Sequence, residues 1–309
     1  MFKLTKSNKT TAVIVVTFNR KNQLVTTIEK LLQQSNRDFD LFIIDNCSTD
    51  GTYEYLESNI LLDKVFYFNT GENIGGAGGF NFGIKTVLDH SNEYKYVWLM
   101  DDDTYAEQDA HRELINAADR LNNNFGFLSS VVLWKNGKYC EMNRQRLVRK
   151  WYKKMEYLDE GLILTDRATF VSFFTSIKSI YEVGLPISDF FIWGDDIEYS
   201  NRISKKNYSF VVGKSKVVHY TETNVGSDIS KDDKSKLWKY KYAYRNEVYI
   251  AKNNGIRGRL YQFAKIGYHI LRVLGTRCDN KIKRISIILG CSIKGLFFNP
   301  RVEVPKEGD

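Results

Sequence analysis

Three carboxylates stand side by side at Asp101, Asp102 and Asp103, directly after the apolar run 96–100. Adjacent carboxylates repel one another, so the cluster is costly unless a cation sits among them. Hard oxygen ligands suit Mg²⁺ or Mn²⁺, ions that are often shared with substrate phosphates. In an extended segment side chains alternate, so Asp101 and Asp103 point one way and Asp102 the other. Asp101 and Asp103 are the natural ligand pair. His219, which closes the strand-like run 210–218, could complete the site with its imidazole. A solvated acidic turn and a structural histidine read equally from the same residues.

A second acidic group, Trp193-Gly194-Asp195-Asp196-Ile197-Glu198, follows Phe190, Phe191 and Ile192. Beside such an apolar wall a carboxylate's pKa rises, which suits a general base. The same residues also describe a helix start favoured by the helix dipole. The glycine run from Asn73 to Phe80 precedes a predicted helix. Its backbone N–H groups could face an anion, or its glycines could allow close helix packing. It is neither GxGxxG directly after the first strand nor a P-loop, so dinucleotide and ATP sites are disfavoured.

The elements that must position these groups are strand, loop and helix, repeated. Apolar runs at 12–16, 41–44, 65–68 and 96–100 each end in polar residues, and helical patterns follow the first three. This alternation predicts an α/β fold with a mainly parallel sheet and helices on both faces, its ligand crevice beyond the strand ends. Further strands are predicted at 127–133, 168–175 and 209–218, with a basic surface segment at 144–154. Beyond residue 230 helices are predicted, broken at Asn253-Asn254-Gly255 and at Cys278-Asp279-Asn280.

In order and spacing, VTFNR at 16–20, DNCSTDGT at 45–52, NIGGAGGF at 73–80, DDD at 101–103, WGDDIE at 193–198 and His219 resemble family 2 inverting glycosyltransferases. The resemblance covers about residues 11–225. It implies a GT-A type, Rossmann-like catalytic domain over 1–228 and a basic amphipathic helical region over 229–309. It implies that Thr17, Asn19, Arg20 and Asp45 hold the nucleotide, and that Asn73, Gly75 and Gly76 line the donor pocket. Asp102 would sit near ribose or donor sugar. Asp101, Asp103 and His219 would bind Mn²⁺ or Mg²⁺, with Asp196 as catalytic base and Trp193 and Asp195 toward the acceptor. NIGGAGGF with the full DDD is similar to the galactofuranosyltransferase branch, which favours UDP-galactofuranose, with dTDP-rhamnose as the alternative. The acceptor would be a glycan or lipid-linked glycan in cell-surface polysaccharide synthesis. The tail is shorter than the C-terminal domain of mycobacterial galactan polymerases, which weighs against processive polymerisation.

Charge separates the two regions. The chain is +8 overall, yet residues 231–309 hold 18 Lys and Arg against 7 Asp and Glu. A basic tail suggests an anionic partner. No zinc, RRM or homeodomain signature supports nucleic acid. Apolar periodicity at 256, 260, 263, 266, 270 and 274 suits an anionic membrane surface, and packing into a homo-oligomer is the plainer alternative. Cys47, Cys140, Cys278 and Cys291 show no paired spacing, as in a reducing compartment. No signal-peptide pattern or membrane-spanning stretch is found, so the expectation is a cytoplasmic protein, peripheral on the inner face of the plasma membrane. A sugar-1-phosphate nucleotidyltransferase should show a GxGTR-type loop after the first strand, where TFNR stands instead. An inactive carbohydrate-binding or scaffold protein should have lost an aspartate from DDD or from the Asp195-Asp196 pair, and both are intact.

Overall fold

Strand β1 (Thr11–Thr17) is buried along its whole length. Alternation along it sends Val13 and Val15 to one face, with Leu24, Ile28 and Leu31 of α1 (Lys21–Leu32). Ala12, Ile14 and Val16 go to the other face, against Phe80, Ile84 and Val87 of α3 (Gly75–Leu88). A computed structural model describes residues 8–59, 61–90 and 93–305.

Strands β2 (Phe39–Asp45), β3 (Phe66–Asn69) and β4 (Tyr96–Asp101) complete a parallel group in the order β3-β2-β1-β4, with α2 (Thr52–Ser58) between β2 and β3. The sheet continues through β5 (Thr104–Ala106), β6 (Phe127–Trp134), β7 (Arg146–Leu147), β8 (Leu162–Arg167), β9 (Phe173–Ser176) and β10 (Ser209–His219). Its order is β3-β2-β1-β4-β9-β6-β10-β8-β7, with β5 on β10. Helix α4 (Ala110–Arg120) covers the α1 face, and α5 (Ile177–Val183) and α6 (Asp195–Ser204) cover the α3 face. The sheet is mixed rather than mainly parallel: β1–β4 and the β6–β10 pair are parallel, whereas β9 runs antiparallel between β4 and β6, and β5, β8 and β7 also pair antiparallel.

Two local expectations are corrected. Residues 168–175 do not form one strand: β8 ends at Arg167, and β9 begins at Phe173 after a turn. The glycine run does not precede α3 but forms its first turns. There the glycines admit a close sheet. A Cβ on Gly79 would lie 2.5 Å from Val16 Cγ1, and one on Gly83 2.7 Å from Ile14 Cγ2.

Helices α7 (Leu237–Asn253), α8 (Gly255–Gly275) and α9 (Lys281–Phe297) pack on one another around Leu237, Tyr240, Tyr244, Val273, Ile287 and Ile288. The breaks at residues 254 and 278–280 fall where the sequence places them.

Candidate active site

The sheet register builds the acidic cluster. β4 carries Asp101 to its C-terminal end, and β5 pairs with β10 so that Thr104 lies opposite His219. Tyr220 N donates to the Asp103 carbonyl at 2.9 Å. Ligand atoms of Asp101, Asp103 and His219 consequently lie within 4.8 Å of one another, and His219 Nε2 is 3.0 Å from Asp103 Oδ1. Two carboxylates and an imidazole at this spacing fit a Mn²⁺ or Mg²⁺ ion.

Asp102 points the other way. Its carboxylate accepts from Thr17 Oγ1 at 2.8 Å and from Arg20 Nη1 at 3.3 Å, while its carbonyl accepts from Thr27 Oγ1 at 2.6 Å. Arg20 also donates to Asp103 Oδ2. Burial raises Asp102 to about 7 against the pull of Arg20, and burial with Asp103 raises Asp101 to about 6. Burial opposes ionisation of Asp103, but His219 and Arg20 outweigh it and hold that carboxyl below its ordinary range. Burial likewise opposes the His219 cation, yet the contact with Asp103 pushes its pKa up to about 10. A proton on His219 thus balances the cluster here, and a divalent cation would displace it.

Of the nucleotide-side candidates, Thr17 and Arg20 touch the acidic cluster directly, and the others lie at or beyond the C-terminal ends of β1, β2 and β3. Asp45, buried at the end of β2, accepts from Ser48 N at 2.8 Å and from the Tyr67 hydroxyl. Asn19 has φ +53° and spans to the same loop, accepting from Thr49 N at 2.7 Å. Asn73 is exposed and caps Gly75 N at 2.9 Å. Gly75 does not face open space: a Cβ there would lie 2.2 Å from the Phe191 carbonyl oxygen. Gly76 has open space beside it.

Residues 190–194 form the most strained stretch near the site. Ile192 N donates to Phe190 O at 2.7 Å around Phe191 (φ +63°, ψ −59°), a tight γ-turn of the rare positive-φ kind. Trp193 and Gly194 follow at φ +68° and +85°. Ala77 N of α3 donates to Phe191 O at 3.1 Å. From α7, Asn246 Nδ2 lies 3.0, 3.1 and 2.7 Å from the carbonyl oxygens of Phe190, Ile192 and Trp193. Clamped from both sides, the loop starts α6 with Asp195 and Asp196 in its first turn, where the helix dipole favours them. The charge of Asp101 adds to what raises both carboxyls. Burial lifts Asp196 to about 6, and burial together with Asp196 holds Asp195 well above the carboxylate range. The Trp193 ring packs edge-on against Tyr240 of α7, 5.0 Å between centroids.

Residues 12–178 match glycosyl transferase family 2. The chain belongs to this family. The galactofuranosyltransferase GlfT1 of Mycobacterium tuberculosis is 25% identical over 288 residues, covering 84% of this chain and 88% of that protein. An uncharacterized glycosyltransferase of Rickettsia felis is 31% identical over 130 residues, 42% of this chain and 21% of its own length. Against that relative the chain spans about a fifth of the length. GalNAc-T7, solved with UDP, GalNAc and Mn²⁺, is similar at a TM-score of 0.65 and 14% identity, over 90% of this chain and 54% of that one. Staphylococcus aureus TarS 1–349 with UDP gives 0.51 at 14%, over 93% and 72%. These likenesses are of fold, and the fold is of GT-A type.

Two site residues of this family 2 chain carry no sequence motif. Asn143 accepts from His219 Nδ1 at 2.7 Å and donates to Thr169 Oγ1 at 3.1 Å. The Thr169 contact orients the amide, so the oxygen faces the ring and leaves Nε2 toward Asp103. Asn246 is the other. Its side chain clamps the Asp195-Asp196 loop from α7, and the residues around it carry no pattern that points there.

Proposed function

We propose that this protein is an inverting, cation-dependent glycosyltransferase that moves galactofuranose from UDP-galactofuranose to a hydroxyl of a glycan or lipid-linked glycan during cell-surface polysaccharide synthesis. The observation that carries the reading is the cluster of Asp101, Asp103 and His219, whose ligand atoms lie within 4.8 Å of one another at the end of β4. Family membership supports sugar transfer, and GlfT1 supports the donor sugar. The neighbours solved with UDP support a uridine nucleotide.

In this reading Asp45, with Asn19, Thr17 and Arg20, receives the nucleotide at the strand ends, while Asn73, Gly75 and Gly76 border the donor pocket. Asp102 faces ribose or donor sugar. A Mn²⁺ or Mg²⁺ ion on Asp101, Asp103 and His219 would neutralise the diphosphate as a leaving group. Asp196 is the base. It is less buried than Asp195 and can ionise near neutrality, whereas burial and Asp196 hold the Asp195 carboxyl well above the carboxylate range, and Asp195 lies toward the acceptor with Trp193. Asp196 takes the proton of the acceptor hydroxyl as that oxygen attacks the anomeric carbon. The bond to the diphosphate breaks and the nucleotide leaves with the electron pair. One displacement inverts the centre, with no covalent sugar–enzyme intermediate.

The acceptor would be met at the inner face of the plasma membrane. Among the described residues no helix is long and apolar enough to cross a membrane, so the association would be peripheral. A donor panel tests the reading: UDP release from UDP-galactofuranose should exceed dTDP release from dTDP-rhamnose by at least about tenfold. The reverse order would reassign the donor, and release from neither would reject the reading.

A further inference from the structure

Helices α8 and α9 are amphipathic the wrong way round for a surface pair. Several polar groups of α8 turn inward. Lys265 Nζ is 2.7 Å from Glu247 Oε1, His269 Nδ1 is 2.7 Å from the Tyr244 hydroxyl, and Arg272 pairs with Asp228. In α9 the guanidinium of Arg284 is buried, donating to the carbonyls of Asp279 and Asp232 at 2.7 and 2.9 Å.

The outward faces are apolar. Ile256, Leu260, Phe263, Leu271 and Leu274 of α8 are all exposed. At 100° per residue they fall within an arc of about 80°. On α9 the outward set is Ile282, Leu289, Ile293, Leu296 and Phe297, with Ile282 at 87% and Phe297 at 83% exposure. These span an arc of about 100°. The helices pack on each other, so the two stripes belong to one hairpin. Exposed Arg257 and Arg259 flank the α8 stripe on either side, and exposed Lys283 and Lys294 border that of α9 along one side. Soluble surfaces seldom show such a patch, and apolar side chains rimmed by Lys and Arg match the acyl–headgroup boundary of an anionic bilayer.

We propose that the α8–α9 hairpin is a monotopic docking surface that lies in the plane of an anionic membrane. A second copy of the chain fits less well, because stacking two such faces would set like-charged rims against each other. The proposal rests on the sugar-transfer reading only for what docking achieves, the meeting with a lipid-linked acceptor.

Flotation of the full chain with vesicles, without donor or acceptor, tests it. Vesicles of mixed phosphatidylglycerol and phosphatidylcholine at low salt should carry at least about ten times more protein than phosphatidylcholine alone, and high salt should reduce that binding. L271E combined with I293E should cut flotation to the phosphatidylcholine level while the melting temperature and Mn²⁺-dependent UDP binding stay unchanged. Protein remaining at the bottom of the gradient with anionic vesicles, or a double variant that floats like wild type, overturns the proposal. A wild-type dimer in solution that the double variant splits would also overturn it, making the face a self-interface. Loss of UDP binding in the wild type with flotation intact would reject sugar transfer and leave the docking surface standing.

Discussion

Replacing Asn246 with alanine should uncouple the base loop from the rest of the site. Its amide has two protons but faces three carbonyl oxygens, at 3.0, 3.1 and 2.7 Å, so at most two full hydrogen bonds are formed. Phe190 O keeps its bond from Ile192 N, so the loss is that of leaving the other loop carbonyls without this donor, about 1–3 kcal/mol. The strain at Phe191 and Trp193, about 1–3 kcal/mol each, then has less to hold it. Relaxation of these positive-φ residues would carry Asp196 with it, and a shift of about 1 Å in a reacting group can cost 10²-fold. Urea denaturation, calorimetric UDP binding and turnover, measured together, separate the effects. The expected outcome is a lower midpoint, UDP affinity within about twofold of wild type, and turnover down by about 10²-fold. Turnover near wild type would refute the clamp. So would equal losses of UDP affinity and turnover.

Three further outcomes follow from the same geometry. Asp196→Asn should lower transfer by about 10²–10⁴-fold with UDP binding retained, read by steady-state kinetics and calorimetry. Because a base works only when ionised and Asp196 sits near 6, the rate should fall as pH drops through about 6; a flat profile between pH 7 and 5 would place the base elsewhere. Gly75→Ala should destabilise the protein in thermal melts, since the new Cβ meets the Phe191 carbonyl and φ is +75°; an unchanged melting temperature would mean the loop yields freely.

Much of the framework was legible in the sequence because it rests on local rules. The apolar runs that became β1, β2 and β4 are buried on both faces, so they read as continuous apolar strands. Strand alternation picked out Asp101 and Asp103, yet β4 ends at Asp101 and a turn over 102–103 makes the split, setting Asp102 against Thr17 while Arg20 bridges Asp102 and Asp103. What stayed hidden depends on contacts between distant segments. Asn143 lies 76 residues from the histidine it orients, and Asn246 lies 53 residues or more from the carbonyls it clamps. Neither distance leaves a pattern along the chain. The strand expected at 168–175 failed because Ala168, Phe170 and Val171 are buried in a turn, where apolar content mimics a strand. The glycines of α3 read as a turn because glycine breaks helices, yet their absent side chains let the helix lie close on β1.

The proposed site would hold a divalent cation on Asp101, Asp103 and His219, with a nucleoside diphosphate bound to that cation. The most direct test is calorimetric titration of UDP into the full chain with Mn²⁺ and again in excess EDTA, which needs no knowledge of the acceptor. UDP should bind in Mn²⁺ and at least about tenfold more weakly in EDTA, a difference of about 1.4 kcal/mol or more. Equal affinity in both would contradict the account.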